Sequence, residues 1–426
     1  MKRKRLLGVV IAVITIAVAA NPAVAQVQTW AVAPRTTDSR IDIALQDHYA
    51  FLNRSVAPRN RLLVFFPGTG AEPRNYRAFP TVAANLGFHA VGLMYPNEET
   101  VNGRCGALNT DLDCYGAIRG EVLDGIDRST RATISRANSI ENRLVRLLQH
   151  LHRQNPQDNW SQFLERAPNG DTVPRWSSMV VAGHSQGGGF AGYIATVRRV
   201  ARSIVFCAMD YNSLVRRLAH WMTAAKLTPQ EEYFAMGHER DELVPYSTLS
   251  SLAWAAYGLP SVESIVNVDR TPPPYQQRRF FSTNQESTPL GNVIAVGPRH
   301  NVPVVDVNTP MVGGRYVFQP VWEYMLTAPS VATSIRADHI SSPPVPPTFA
   351  PNPASGLVQL QVPEGSLSLT LSNVLGQVVR TEPCPAASST LSSTMFLDVS
   401  ALPVGMYMLT FTTPTSRIAY QLHIVR

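Results

Sequence analysis

A chain of 426 residues has room for two or three domains, and 45% hydrophobic against 16% charged residues excludes a disordered chain. The net charge is +7, but four of those positive charges lie in the opening MKRKR; the remaining +3 excludes nucleic acid as an expected partner.

In chain order, MKRKR and the apolar run LLGVVIAVITIAVAA read as the basic and apolar parts of a secretory signal, with AVA at 23–25 as small residues before a cut after Ala25. The run is short for a bilayer span of ~20 residues, so residues 1–25 are expected to be a removed signal peptide. No later segment reads as a membrane span. An exported chain meets oxidising conditions. Cys105 and Cys114, nine apart in a Gly- and Asn-rich loop, are the expected disulfide; Cys207 lies in an apolar run and reads as a buried thiol, and Cys384 falls in a later domain.

From about residue 60 to 330, apolar runs alternate with helical patterns. RLLVFFPGTG (61–70), FHAVGLMYP (88–96), SMVVAG (178–183), RSIVFCAMD (202–210) and EEYFAMGHERD (231–241) read as strands ending in polar tips. Between the second and third, Ile140, Leu144, Leu147, Leu148 and Leu151 recur at helical spacing after a Ser139 N-cap. Such alternation implies βαβ units in a mostly parallel sheet flanked by helices. Ligand sites in such sheets lie at the carboxyl ends of the strands, where Ser185, Asp210 and Asp241 all fall. SSPPVPPTFAPNPASG (341–356) is then stiff and Pro-rich. Short alternating strands follow, separated by turns about every ten residues, as in a small β-sandwich. The domains are therefore expected at 26–335 and 351–426, with a linker at 336–350.

GHSQG (183–187) fits G-x-S-x-G, with a strand before it and a helix after it. The bland reading is a Gly-rich turn; the sharper one makes Ser185 a nucleophile. A serine hydroxyl needs a base, and the base needs an orienting acid. With the acid between serine and histidine in the chain, His300 is the only histidine of this domain late enough to serve. Asp241 is the favoured acid and Asp210 the alternative. His184 reads as a packing residue. The backbone N–H of Gln186, and that of Thr69 in the loop FFPGTGAEP, are the candidate oxyanion donors. HExxH, zinc-spaced Cys/His clusters and a P-loop are absent from the sequence, so no metal or cofactor is expected.

Residues 60–330, through LVFFPGTG, GHSQGG, GHERDELVP and the late His300, resemble the α/β-hydrolase superfamily. The resemblance implies an α/β-hydrolase fold, Ser185, Asp241 and His300 as a triad, and carboxylic-ester hydrolysis through an acyl-enzyme. A small-molecule or polymeric ester is then the expected substrate. A serine peptidase, an acyltransferase and a non-catalytic surface protein on the same scaffold are the alternatives. Residues ~346–426, through APNPASG, LSNVLGQVV and DVSALPVGMYMLTF, resemble the C-terminal sorting domain of type IX secretion cargo. That resemblance implies the type IX machinery as partner, and export across the outer membrane of a Bacteroidota-type bacterium.

Overall fold

The computed structural model describes residues 27–106, 108–329, 349–362, 366–373, 377–384, 393–412 and 417–426. The expected signal peptide and most of the expected linker lie outside them. The chain divides into two compact units, Met1–Thr333 and Ser334–Arg426.

The first unit is built on nine strands: β1 (Gln28–Val32), β2 (His48–Leu52), β3 (Leu62–Phe66), β4 (His89–Gly92), β5 (Met179–His184), β6 (Arg202–Phe206), β7 (Tyr233–His238), β8 (Val266–Asn267) and β9 (Phe280–Thr283). They form one sheet in the order β1-β2-β4-β3-β5-β6-β7-β9-β8. Only β1 and β2 run antiparallel to their neighbours; from β4 to β8 every pairing is parallel. Every residue of β3, β5, β6 and β7 is buried, because helices cover both faces and leave no side of these strands for water.

On one face, Leu62, Val64, Phe66, Val181, Val205 and Ala235 pack in a core with α2 (Cys114–Asp124), α3 (Ile140–Gln154) and α4 (Gln186–Val197). On the other, Leu63, Phe65, Val180, Ile204 and Met236 meet α1 (Ala78–Asn85) and α6 (Gln319–Thr327). The leucines predicted to line one side of α3 are buried, and Ser139 caps the helix by accepting from the Asn142 N–H at 3.3 Å. Among the described residues no helix is long and apolar enough to cross a membrane.

The second unit contains β10 (Phe349–Ala350), β11 (Leu357–Val362), β12 (Ser368–Asn373), β13 (Val378–Pro383), β14 (Ser393–Asp398), β15 (Gly405–Thr412) and β16 (Arg417–Ile424). β10-β11-β14 and β13-β12-β15-β16 form two antiparallel sheets. Alternate residues such as Val358, Leu360, Leu369, Leu371, Leu409 and Phe411 share one apolar core. β10 lies in the stretch expected to be linker; it pairs with β11 and is part of the sheet.

Candidate active site

Ser185 is the residue at which β5 gives way to α4, with φ 53° and ψ −121°. That backbone is rare for a side chain with a Cβ and costs on the order of 1–3 kcal/mol. Two glycines make the bend feasible by close approach. A Cβ on Gly183 would run into the carbonyl of Gly187, and one on Gly187 into the carbonyl of Phe66 at the end of β3. The Ser185 N–H donates to the Phe206 carbonyl at 2.9 Å, fixing the bend to the end of β6.

Asp241 follows β7, and His300 lies in the short helix α5 (Pro298–Asn301). The His300 Nδ1–H donates to Asp241 Oδ2 at 2.7 Å, and both side chains are almost wholly buried. Oδ1 accepts from the N–H groups of Leu243 and Val244, each at 2.8 Å. Burial, the largest influence, raises the Asp241 pKa; the His300 bond and the two backbone donors outweigh it and hold the carboxyl below its usual value. An ionised Asp241 fixes the proton on Nδ1 and leaves Nε2 as an acceptor. Among the described residues that buried Nε2 has no partner. Ser185 and His300 line one cleft of about 760 Å³ without a hydrogen bond between hydroxyl and ring. Such bonds often form only when substrate is bound.

Asp210 does other work. It takes two bonds from Arg119, at 2.6 and 2.7 Å, and one from Trp221 Nε1 at 2.7 Å, all buried. Arg119 in turn donates to the Gln186 carbonyl at 3.2 Å, bracing the first turn of α4. With its oxygens committed to this pair, Asp210 does not contact His300.

The loop after β3 is pinned at every position but one. Tyr95 donates its hydroxyl to the Pro67 carbonyl at 2.8 Å, and the Gly68 N–H donates to the Tyr76 hydroxyl oxygen at 3.1 Å. Asn97 Nδ2 donates to the Gly68 and Ala71 carbonyls at 2.7 and 2.9 Å, while the main-chain carbonyl of Asn97 accepts from the Gly70 N–H at 2.9 Å. Among the described residues the N–H groups of Thr69 and Gln186 have no acceptor. Their side chains meet, the Thr69 hydroxyl donating to Gln186 Oε1 at 3.0 Å. The Gly68 Cα lies close enough to Ser185 that an added Cβ would be 3.4 Å from the serine Cβ.

His184 packs, as its place in the turn predicts, but it is also bonded at both ends. Its Nε2 lies 3.0 Å from the His300 carbonyl, which can only accept, so Nε2 carries the proton and Nδ1 accepts from Tyr76 at 3.0 Å. Burial, then the neighbouring His300, pulls its pKa down to about 3. Cys207 lies behind the pair, its Sγ within 4.8 Å of ring nitrogens of His184 and His300. Burial, then the Asp241 charge, pushes the thiol well up. Both His184 nitrogens are already bonded, so this cluster offers an ion too few free ligand atoms. Asn97, Tyr76 and Arg119 escaped the sequence reading; their spacing from Ser185 follows no local rule, although Asn97 directly follows the run 88–96 that reads as a strand.

Cys105 and Cys114 form a disulfide. It joins the short helix Val101–Cys105, which contributes Val101 and Asn102 to the cleft wall, to the start of α2. No curated protein matches the chain. Residues 348–425 match the secretion system C-terminal sorting domain family. The C-terminal unit is a type IX secretion sorting domain. Its opening segment is clipped to the last strand of the sorting domain: Ala354 N–H donates to His423 at 2.7 Å and Val425 N–H to Ala354 at 2.8 Å. A chain carrying this sorting domain is exported across the outer membrane and is a secreted or cell-surface protein.

Proposed function

We propose that the first unit is a serine hydrolase of the α/β-hydrolase kind that cleaves carboxylic esters through an acyl-enzyme. The observation that carries this reading is the buried Asp241–His300 pair at 2.7 Å, whose unpartnered Nε2 shares a cleft with the strained Ser185. In this mechanism Ser185 Oγ bonds to the ester carbonyl carbon and its proton passes to His300 Nε2. The oxyanion accepts from the Thr69 and Gln186 N–H groups, each worth ~3 kcal/mol in the transition state. The imidazolium returns the proton to the leaving alkoxide as the C–O bond breaks, and water repeats the sequence on the acyl-enzyme. Asp241 keeps the ring in one tautomer and stabilises its charged form.

The direct test is labelling with a fluorophosphonate probe, followed by peptide mass mapping. The expected result is one phosphonyl adduct on Ser185, abolished in Ser185→Ala. Wild type that stays unlabelled, or equal labelling of the variant, would refute a nucleophilic serine.

A further inference from the structure

We propose that the cleft selects an uncharged ester whose acyl hydrocarbon chain runs along an apolar lip made by residues 290–296 and Leu243. The inference rests on the serine-hydrolase reading and names the substrate class for it.

Two independent features converge. The first is the charge state of the cleft wall. Its charged side chains are Arg119 and Asp210, bonded to each other, and its two imidazoles, His300 and His184, are held by Asp241 and by Tyr76 with the His300 carbonyl. No charged side chain of that wall is left unpaired to neutralise a carboxylate, phosphate or ammonium group, and burying such a group without a counter-charge is strongly unfavourable. The second feature is the lip itself. Val293 and Val296 are 82% and 81% exposed and Ile294 60%, while Leu243 and Leu290 are more than half exposed. Ile294, Val296 and Leu243 also line the cleft. The two segments touch, since a Cβ on Gly297 would lie 2.7 Å from Leu243 Cγ. Contiguous apolar side chains standing in water at the mouth of a cleft mark a binding surface.

The lip is not a loose end. Thr288 caps the short helix Pro289–Ile294, accepting from the Gly291 N–H at 3.0 Å, and donates its hydroxyl to the Val307 carbonyl. Asn308 donates to the Ser287 hydroxyl at 2.9 Å. The backbone is thus anchored by polar bonds, independently of the exposed valines and isoleucine. The occupant follows from continuity, because Ser185 lines the same cleft as Ile294 and Val296, and a hydrocarbon chain attached to a carbonyl at Ser185 gains by leaving across them. The nearby charges argue against an anionic lipid surface. Arg240 pairs with Glu286 at 2.6 Å, and Arg299 with Glu286 at 3.0 Å and Glu242 at 3.5 Å, so neither arginine stands as an uncompensated charge.

The test uses the full chain in two measurements. Chromogenic straight-chain acyl esters of two to twelve carbons give kcat/KM. Uncharged 2-alkanones of three to thirteen carbons, each an acyl group of the series capped by a methyl, give Kd on Ser185→Ala, which has no nucleophile. Both are expected to improve by up to about fourfold per added methylene through the middle of the series. In the double variant Val293→Asp, Val296→Asp, the octanoate-to-acetate ratio of kcat/KM falls at least tenfold. 2-Nonanone binding weakens to match, while the thermal midpoint moves by only a few degrees. A flat series in both measurements, or an unchanged ratio in the double variant, overturns the lip. Preference for an acyl chain ending in a carboxylate or ammonium overturns the uncharged substrate. Length-dependent ketone binding without ester cleavage or Ser185 labelling supports the hydrocarbon subsite and overturns the hydrolase reading.

Discussion

Thr69 keeps a free N–H because its neighbours have none to spare. Asn97 is the residue that arranges this, holding the Gly68 and Ala71 carbonyls with one amide nitrogen. Asn97→Asp is isosteric but sets a carboxylate against those two carbonyls. On the proposed mechanism it lowers kcat by about 10- to 100-fold, somewhat less than outright loss of an oxyanion donor. KM changes little, because the loop acts on the transition state; steady-state kinetics separates the two. Asp241→Asn lowers kcat by about 10⁴-fold by releasing the tautomer. His184 makes a stability prediction instead. Its folded pKa of about 3 lies below the ordinary 6.5, so between these values the unfolded chain binds the extra proton. The stabilisation is complete above about pH 6.5 and is lost as pH falls toward 3. His184→Gln retains a donor and an acceptor without titrating, and the slope of thermal midpoint against pH between 6.5 and 4 should flatten in it. At this scale the bend at Ser185 was legible, because the glycines that permit it are its neighbours in the chain. The sequence did not reveal Asn97, Tyr76 or the Arg119–Asp210 pair, because each acts on a partner tens of residues away along the chain.

The elements were easier to read than their edges. Uniformly apolar runs such as LLVFF and MVVAG are legible because both faces of the sheet are covered, so no polar alternation interrupts them. β4 stops at Gly92, short of the apolar run that continues to Tyr95: the Leu93 N–H still donates to the Phe65 carbonyl of β3 at 2.9 Å, but the Met94 N–H turns to the His48 ring at 2.9 Å, and Leu93 and Tyr95 pack in the core. The crossing of α4 over β3 and β5 depends on glycine, not on hydrophobicity. Gly187→Ala forces a methyl into the Phe66 carbonyl and is expected to destabilise by about 3 kcal/mol, the upper range of overpacking costs, read as a lower urea midpoint. The Cys105–Cys114 link closes a loop of nine residues' separation, and chain entropy sets its contribution near 2–3 kcal/mol. Replacing both cysteines by serine should lower the urea midpoint accordingly. It should also raise KM more than it lowers kcat, because the loosened helix carries Val101 and Asn102 of the cleft wall.

The two units have separate apolar cores: Phe65, Phe66, Phe190 and Trp322 belong to those of the first, Leu371, Leu409 and Phe411 to that of the second. A domain with its own core can fold alone. The sorting domain was legible in short stretches such as APNPASG because they carry their own bonding, Asn352 accepting from the His423 N–H at 2.8 Å and Ala354 pairing with the last strand. The first unit offers no comparable label, and its reading depends on convergence at the ends of β5 and β7. This separation predicts a clean division of labour. A chain ending at Thr333 should unfold in one cooperative transition and retain kcat/KM for short esters within about twofold of the full chain. In the native host the same truncation should remain inside the outer membrane, measured by fractionation and probe labelling of intact cells. A truncated chain that fails to fold, or that reaches the cell surface unaided, would mean that structure and delivery are not divided at this boundary.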